Sequence, residues 1–154
     1  MTGPDVRFVD AGYGDDVTAP LICELQDDLR QRYGGPDQTP VDPAQFVPPQ
    51  GAFVVVLVDG DVAACGGLRR HDEHTVELKR MYVRDAYRRR GLASMLLAEL
   101  ENRSRKAGYR RLALETGLAQ PEAVALYERH GYRPYPGFGH YADSELARPF
   151  VKDL

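Results

Sequence analysis

Apolar residues recur along this chain with two periods, one suited to strands and one to helices. Val6-Arg7-Phe8-Val9 alternates and predicts a short strand. Leu21, Ile22, Leu25 and Leu29 follow at helical spacing behind Asp15 and Asp16, which predicts an amphipathic helix over residues 17–32 closed by Gly34-Gly35-Pro36. Residues 34–51 hold five prolines and three glycines, a long loop of the kind that carries function in a compact domain. Three strands are then expected in a meander: 52–58, turned by Asp59-Gly60 into 62–68, and, after His71-Asp72-Glu73-His74, 76–83. Leu92, Ala93, Leu96, Leu97 and Leu100 mark a second helix over 92–106, closed by Gly108 with cations in its last turn. Leu112–Thr116 reads as a buried strand. Pro121 opens a third helix carrying Ala123, Val124, Leu126 and Tyr127, and Gly131 ends it. Residues 132–135 and 145–152 are the last strands, the final one weakened by Pro149. The order β-α-βββ-α-β-α-β-β predicts an α/β fold with a central mixed sheet and helices on both faces.

The 154 residues suit one domain, residues 1–154, with 43% hydrophobic and 28% charged side chains, which excludes global disorder. No apolar run is long enough to span a membrane, and the first residues have neither the basic nor the apolar part of a signal peptide, so a cytoplasmic protein is expected. Cys23 and Cys65 are isolated, fit no metal spacing and are expected to be buried thiols. The His71–His74 cluster sits in a turn and matches no zinc spacing, so no metal is expected.

Charge changes the picture more than composition does. The net charge is −3, yet residues 1–67 carry 3 basic and 11 acidic side chains, whereas residues 68–111 carry 13 basic and 6 acidic ones. A cationic zone in an acidic protein points to a local anionic ligand. Its densest part is Arg84-Asp85-Ala86-Tyr87-Arg88-Arg89-Arg90-Gly91-Leu92-Ala93, at a strand-to-helix junction. The first turn of a helix presents unpaired N–H groups at the positive end of its dipole. Three arginines precede it, and Gly91 and Ala93 leave the backbone approachable. This describes a cradle for a pyrophosphate, although the phosphate-loop and dinucleotide fingerprints are both absent. A surface arginine run capping a core helix is the plainer alternative. A nucleic-acid module using residues 84–111 is disfavoured by the acidic net charge and the lack of interleaved aromatics.

At this junction the chain resembles the GNAT superfamily of acyl-CoA-dependent N-acetyltransferases. The signature stands here as Arg88-Arg89-Arg90-Gly91-Leu92-Ala93. Leu78–Val83, Leu112–Gly117 and Gln120–Tyr132 are similar to the family's flanking segments in the same order. The resemblance implies a sheet that splays after the third meander strand and an acetyl-CoA co-substrate. It implies backbone pairing of the pantetheine arm with Met81 and Val83, with a backbone N–H of Met81 or Tyr82 polarising the thioester. Amides from Arg89 to Ser94, with Arg88 and Arg90 nearby, would hold the pyrophosphate. Ala123 and Gln120 would touch the cofactor, Gln120 standing where many members have asparagine. Tyr127 matches the tyrosine that protonates the leaving thiolate, with a packed helix residue as the alternative.

The general base is implied less directly. Glu77 occupies a strand position where some members carry a catalytic glutamate. It shares a strand parity with Lys79, Met81 and Val83, and a cross-strand ion pair is its alternative. Glu115 is a second candidate, and a water chain a third. Phe138-Gly139-His140-Tyr141 is read either as a wall of the acceptor pocket or as loop packing. Glu24, Asp27, Asp28, Asp37 and Asp42 form an acidic rim that would suit a cationic amine, unless they are a solvated face. The expected acceptor is a primary amine of a small molecule or amino acid. A protein N-terminus or lysine and a non-catalytic acyl-CoA sensor are the alternatives, and a homodimer is compatible with the resemblance.

Overall fold

A computed structural model describes residues 3–154. Its elements run β1 (Val6–Asp10), α1 (Ala19–Tyr33), β2 (Ala52–Val58), β3 (Asp61–Arg70), β4 (Thr75–Val83), α2 (Leu92–Lys106), β5 (Arg111–Gly117), α3 (Pro121–Arg129), β6 (Arg133–Pro134) and β7 (Ala147–Asp153). The expected order holds. The seven strands form one sheet in the order β1-β2-β3-β4-β5-β7-β6, parallel between β4 and β5 and antiparallel elsewhere. The expected strand over 132–135 shrinks to two residues.

Both faces of the sheet are covered. On one, α2 and α3 bury Leu96, Leu97, Leu100, Leu126 and Tyr127 against Val54, Val56, Val76, Leu112 and Leu114. On the other, Leu21 of α1 packs with Phe53, Val55 and Cys65. Phe46 joins this second cluster from the proline-rich loop. It is 2% exposed, stacks on Tyr13 with ring centroids 5.1 Å apart and meets Phe53 edge-on at 5.9 Å. The loop is therefore pinned to the sheet at Phe46, while residues 37–39 reach across β4.

Two irregularities open the sheet. The β4–β5 ladder pairs only Thr75–Leu78 with Arg111–Leu114, and beyond these residues the strands part. On the β3 side the register jumps from Gly67–Lys79 to Cys65–Tyr82, so that Gly66 faces both Arg80 and Met81. This is a β-bulge, and Arg80 takes a left-handed φ of 58° at its centre. The bulge overturns one expectation about strand parity. Glu77 and Lys79 share a face, but Met81 and Val83 pack with Val76 and Leu78 on the α2 side, because the extra residue reverses the alternation. Cys23 is exposed, contrary to expectation, whereas Cys65 is buried.

Removing the Phe46 ring leaves a cavity at the loop's anchor. Phe46→Ala is expected to lower unfolding stability by about 3–5 kcal/mol in urea titrations. A loss below about 1 kcal/mol would contradict the packing described.

Candidate active site

The parting of β4 and β5 opens a cleft of about 1270 Å³. That exceeds the usual volume for one small ligand and leaves room for two substrates side by side. Met81, Tyr82 and Val83 line one wall, and Gln120, Ala123 and Tyr127 line the other. Arg88, Arg89, Gly91, Leu92, Ala93 and Ser94 line the end beside α2. Arg90 does not reach the cleft: its guanidinium lies over the Tyr87 ring, 5.3 Å from the centroid.

At the α2 end the backbone is shaped for an anion. Gly91 is the N-cap with a φ of 77°, a conformation glycine adopts without strain, and no side chain caps the first-turn amides. Arg89 is also left-handed, with a φ of 62°. Arg88 donates from Nε to the Val83 carbonyl at 3.0 Å and lies over the Tyr82 ring. Ser94 Oγ and His130 Nε2 are 2.9 Å apart, which ties α2 to α3.

Deeper in, Tyr127 is 6% exposed and packs edge-on to Tyr132 at 5.6 Å. Burial pushes its phenol well above the ordinary tyrosine range, so it keeps its proton at neutral pH. Its hydroxyl makes no hydrogen bond among the described residues. Tyr132 is held in turn by Glu101, to which it donates at 2.8 Å, and Glu101 is paired with Lys152 at 3.1 Å.

The two carboxylate candidates separate. Glu77 does not line the cleft, and its carboxylate accepts from Arg69 Nε at 2.8 Å, the cross-strand ion pair. Glu115 does line it. Its Oε2 accepts from the Tyr141 backbone N–H at 2.8 Å, and its Oε1 is buried without a partner. Burial raises the Glu115 pKa above the ordinary carboxyl range, outweighing the Tyr141 hydrogen bond and the charge of Lys79. Gly139 presses against this carboxylate so closely that a Cβ there would collide with it. Phe138 turns into a small cluster with Ala113 and Val151, and Tyr141 lines the cleft, so the 138–141 segment serves both as packing and as wall.

Each carboxylate of the acidic rim has a partner, and Asp27 and Asp42 lie on a solvated face away from the cleft. Glu24 pairs with Arg84 at 2.9 Å, Asp27 with Arg30 at 2.6 Å and Asp28 with Arg32 at 3.0 Å. Asp42 caps the turn over residues 43–46. Asp37 binds two buried cations, Lys79 at 3.3 Å and Arg80. Burial alone would raise the Asp37 pKa, but the Lys79 charge, the Thr39 hydrogen bonds and Arg80 together hold it at about 2. Lys79 and Arg80 were not singled out in sequence as site residues, whereas Tyr141 belongs to the 138–141 segment read there as a wall of the acceptor pocket or as loop packing. The signal was two adjacent cations inside an apolar strand, a break in alternation that marks a bulge. Also unforeseen is a bridge across the mouth. Arg32 donates to the Ala119 carbonyl at 2.8 Å and pairs with Glu122 at 2.5 Å, and Tyr33 donates to Gln120 Oε1 at 3.0 Å.

A profile of the acetyltransferase (GNAT) family matches residues 22–132 of this chain. The chain belongs to the GNAT family of acetyltransferases. A full-length relative, the IAA acetyltransferase of Azospirillum brasilense, is 30% identical over 98% of this chain and 99% of its own. Among solved structures, an acyl-CoA N-acyltransferase from Klebsiella pneumoniae is 28% identical, with a TM-score of 0.81 over 97% of both chains. A GNAT acetyltransferase from Elizabethkingia anophelis, solved with acetyl-CoA bound, shares the fold at 14% identity, with a TM-score of 0.71 over 97% of this chain and 98% of that one. This GNAT chain is thus an acyltransferase, and its open β4–β5 seam is the feature around which its cleft is built.

Asp37 makes stability depend on pH. Its carboxyl titrates at about 2 when folded, below the unfolded value near 4. Its contribution is therefore complete above about pH 4 and is lost as pH falls toward 2, an effect of about 2–3 kcal/mol. The stability gap between the wild type and Asp37→Asn is expected to narrow by that amount between pH 5 and pH 2. A gap independent of pH would contradict the ion cluster.

Proposed function

We propose that this enzyme transfers the acetyl group of acetyl-CoA to a primary amine of a small molecule by direct attack. The observation that carries this reading is one continuous cleft. It joins the uncapped start of α2, the unpaired edge of β4, the proton-bearing Tyr127 and the half-buried Glu115. In this reading the CoA pyrophosphate sits on the amides of Arg89–Ser94, beside Arg88. The pantetheine arm runs along the edge left free where β4 leaves β5. The bridge of Arg32 and Tyr33 to the start of α3 narrows the mouth, which favours a small acceptor over a folded protein.

The acceptor amine loses its proton to Glu115 Oε1, a cleft-wall carboxylate oxygen left without a donor, whose raised pKa suits the exchange. The neutral nitrogen attacks the thioester carbonyl. A backbone N–H of the parted β4 edge stabilises the developing oxyanion. As the C–N bond forms and the C–S bond breaks, Tyr127 donates a hydrogen bond to the leaving sulfur. A thiol is the stronger acid of the two, so this contribution is mainly a charge-assisted bond to the thiolate. As the adduct collapses the nitrogen gives up its second proton, which reaches the sulfur through solvent and the Tyr127 hydroxyl. CoA thus leaves as the thiol, Tyr127 ends with its proton, and the one proton released overall is that taken by Glu115. Cys65 takes no part: burial pushes its thiol up to about 12.

Thiol release from acetyl-CoA, measured across a panel of amines beside calorimetric titration of CoA, tests this reading. CoA binding with release for one amine class is expected; no CoA binding would overturn it. Tyr127→Phe is expected to lower kcat at least tenfold with CoA affinity retained, and a kcat within twofold would contradict the role given to its hydroxyl. Glu115→Gln is expected to lower kcat/KM about 100-fold and to remove an acid limb of the pH–rate profile displaced above the ordinary carboxyl range. If Glu77→Gln had that effect instead, the base would be reassigned.

A further inference from the structure

The acceptor end of the cleft has more hydrogen-bond donors than the protein can satisfy. Lys79 and Arg80 are 6% and 7% exposed, and both line the cleft. Two buried cations share one carboxylate, Asp37. The Lys79 ammonium has three donors and makes one hydrogen bond, at 3.3 Å to Asp37. Arg80 gives its two terminal nitrogens to Asp37 and to the Thr39 carbonyl, and its Nε–H is buried with no acceptor. An unpaired buried donor on a guanidinium is costly, and such an orphan calls for an explanation.

The opposite deficiency lies beside it. Glu115 Oε1 is a buried acceptor with no donor. A single residue, Tyr141, spans the two groups, with its backbone N–H on Glu115 Oε2 and its hydroxyl on Asp37 Oδ1 at 3.0 Å. The carboxylate shared by the two cations and Glu115 are therefore linked through one tyrosine, and Lys79, Arg80 and Glu115 all line the same cleft. The Arg69–Glu77 pair, the other charged pair on this face of β3 and β4, is self-satisfied.

We propose that the acceptor is an amine that also carries a carboxylate, a free amino acid, whose carboxylate is bound by Lys79 and Arg80 while its amino group meets Glu115 Oε1. The inference rests on the acetyl-transfer reading and narrows it. A ligand of this kind supplies the missing acceptor to the cations and the missing donor to Glu115 at once. A plain amine would leave Lys79 and Arg80 with a single shared carboxylate. A site built around a substrate charge discriminates strongly against the analogue lacking it, because its own buried groups are then left unpaired.

The test compares free amino acids with their α-carboxamides, which keep the amine and the shape but lose the charge. Binding is read by thermal shift with CoA present, and turnover by thiol release. At least tenfold tighter binding, or higher kcat/KM, is expected for some acid over its amide, and Lys79→Gln and Arg80→Gln are each expected to shrink that ratio. Equal responses to acids and amides, or no shift by any amino acid while CoA binds, would overturn the inference and leave acetyl transfer standing. Calorimetric failure to bind CoA would instead remove the acetyl-transfer reading and this inference with it. The wild-type acid-to-amide ratio decides the matter even where a variant does not fold.

Discussion

The rest of the site depends on where β4 and β5 stop pairing. Their ladder ends at Leu78 and Leu114, and everything assigned a role in the cleft lies beyond that point or faces it. A strand edge inside a folded protein is normally covered, because unpaired backbone groups out of water are costly. Here the edge is left open, and the bulge at Arg80 sits at the opening. The bulge reverses which side chains face which layer, so Met81 and Val83 stay in the α2 core while Lys79 and Arg80 turn toward the loop carrying Asp37.

That turn has an electrostatic consequence. Two cations buried inside a cleft are tolerable only with partners, and one low-pKa carboxylate is a partial answer. The loop that supplies it is rich in proline and is held by the Phe46 ring, so the binding wall and the hydrophobic layer under α1 are mechanically one unit. At the other end of the cleft the Glu101–Tyr132–Lys152 network fixes the neighbour against which Tyr127 packs. Both ends of the cleft thus rest on buried polar networks.

Periodicity and turn residues disclosed most of this architecture. Helical spacing in α2 and the β-branched run of β2 left little choice, and the Gly91 junction showed the uncapped helix start on which the proposed anion site rests. What stayed hidden were features that depend on register. A bulge adds one residue without altering composition, so the parity linking Glu77 to Met81 looked sound until β3 was laid beside it. The acidic residues of α1 looked like a surface, because their partners Arg30, Arg32 and Arg84 lie on the next helical turn or across the fold. The choice between Glu77 and Glu115 turned on Arg69, eight residues away in sequence and opposite Glu77 in the sheet.

The central claim is that the open β4 edge and the start of α2 hold one extended co-substrate through backbone amides. Amide hydrogen exchange with and without CoA measures those groups directly. The account predicts slowed exchange in two segments together, residues 81–83 and 89–94, with little change along β1 and β2. Protection confined to other elements, or no protection at saturating CoA, would contradict it.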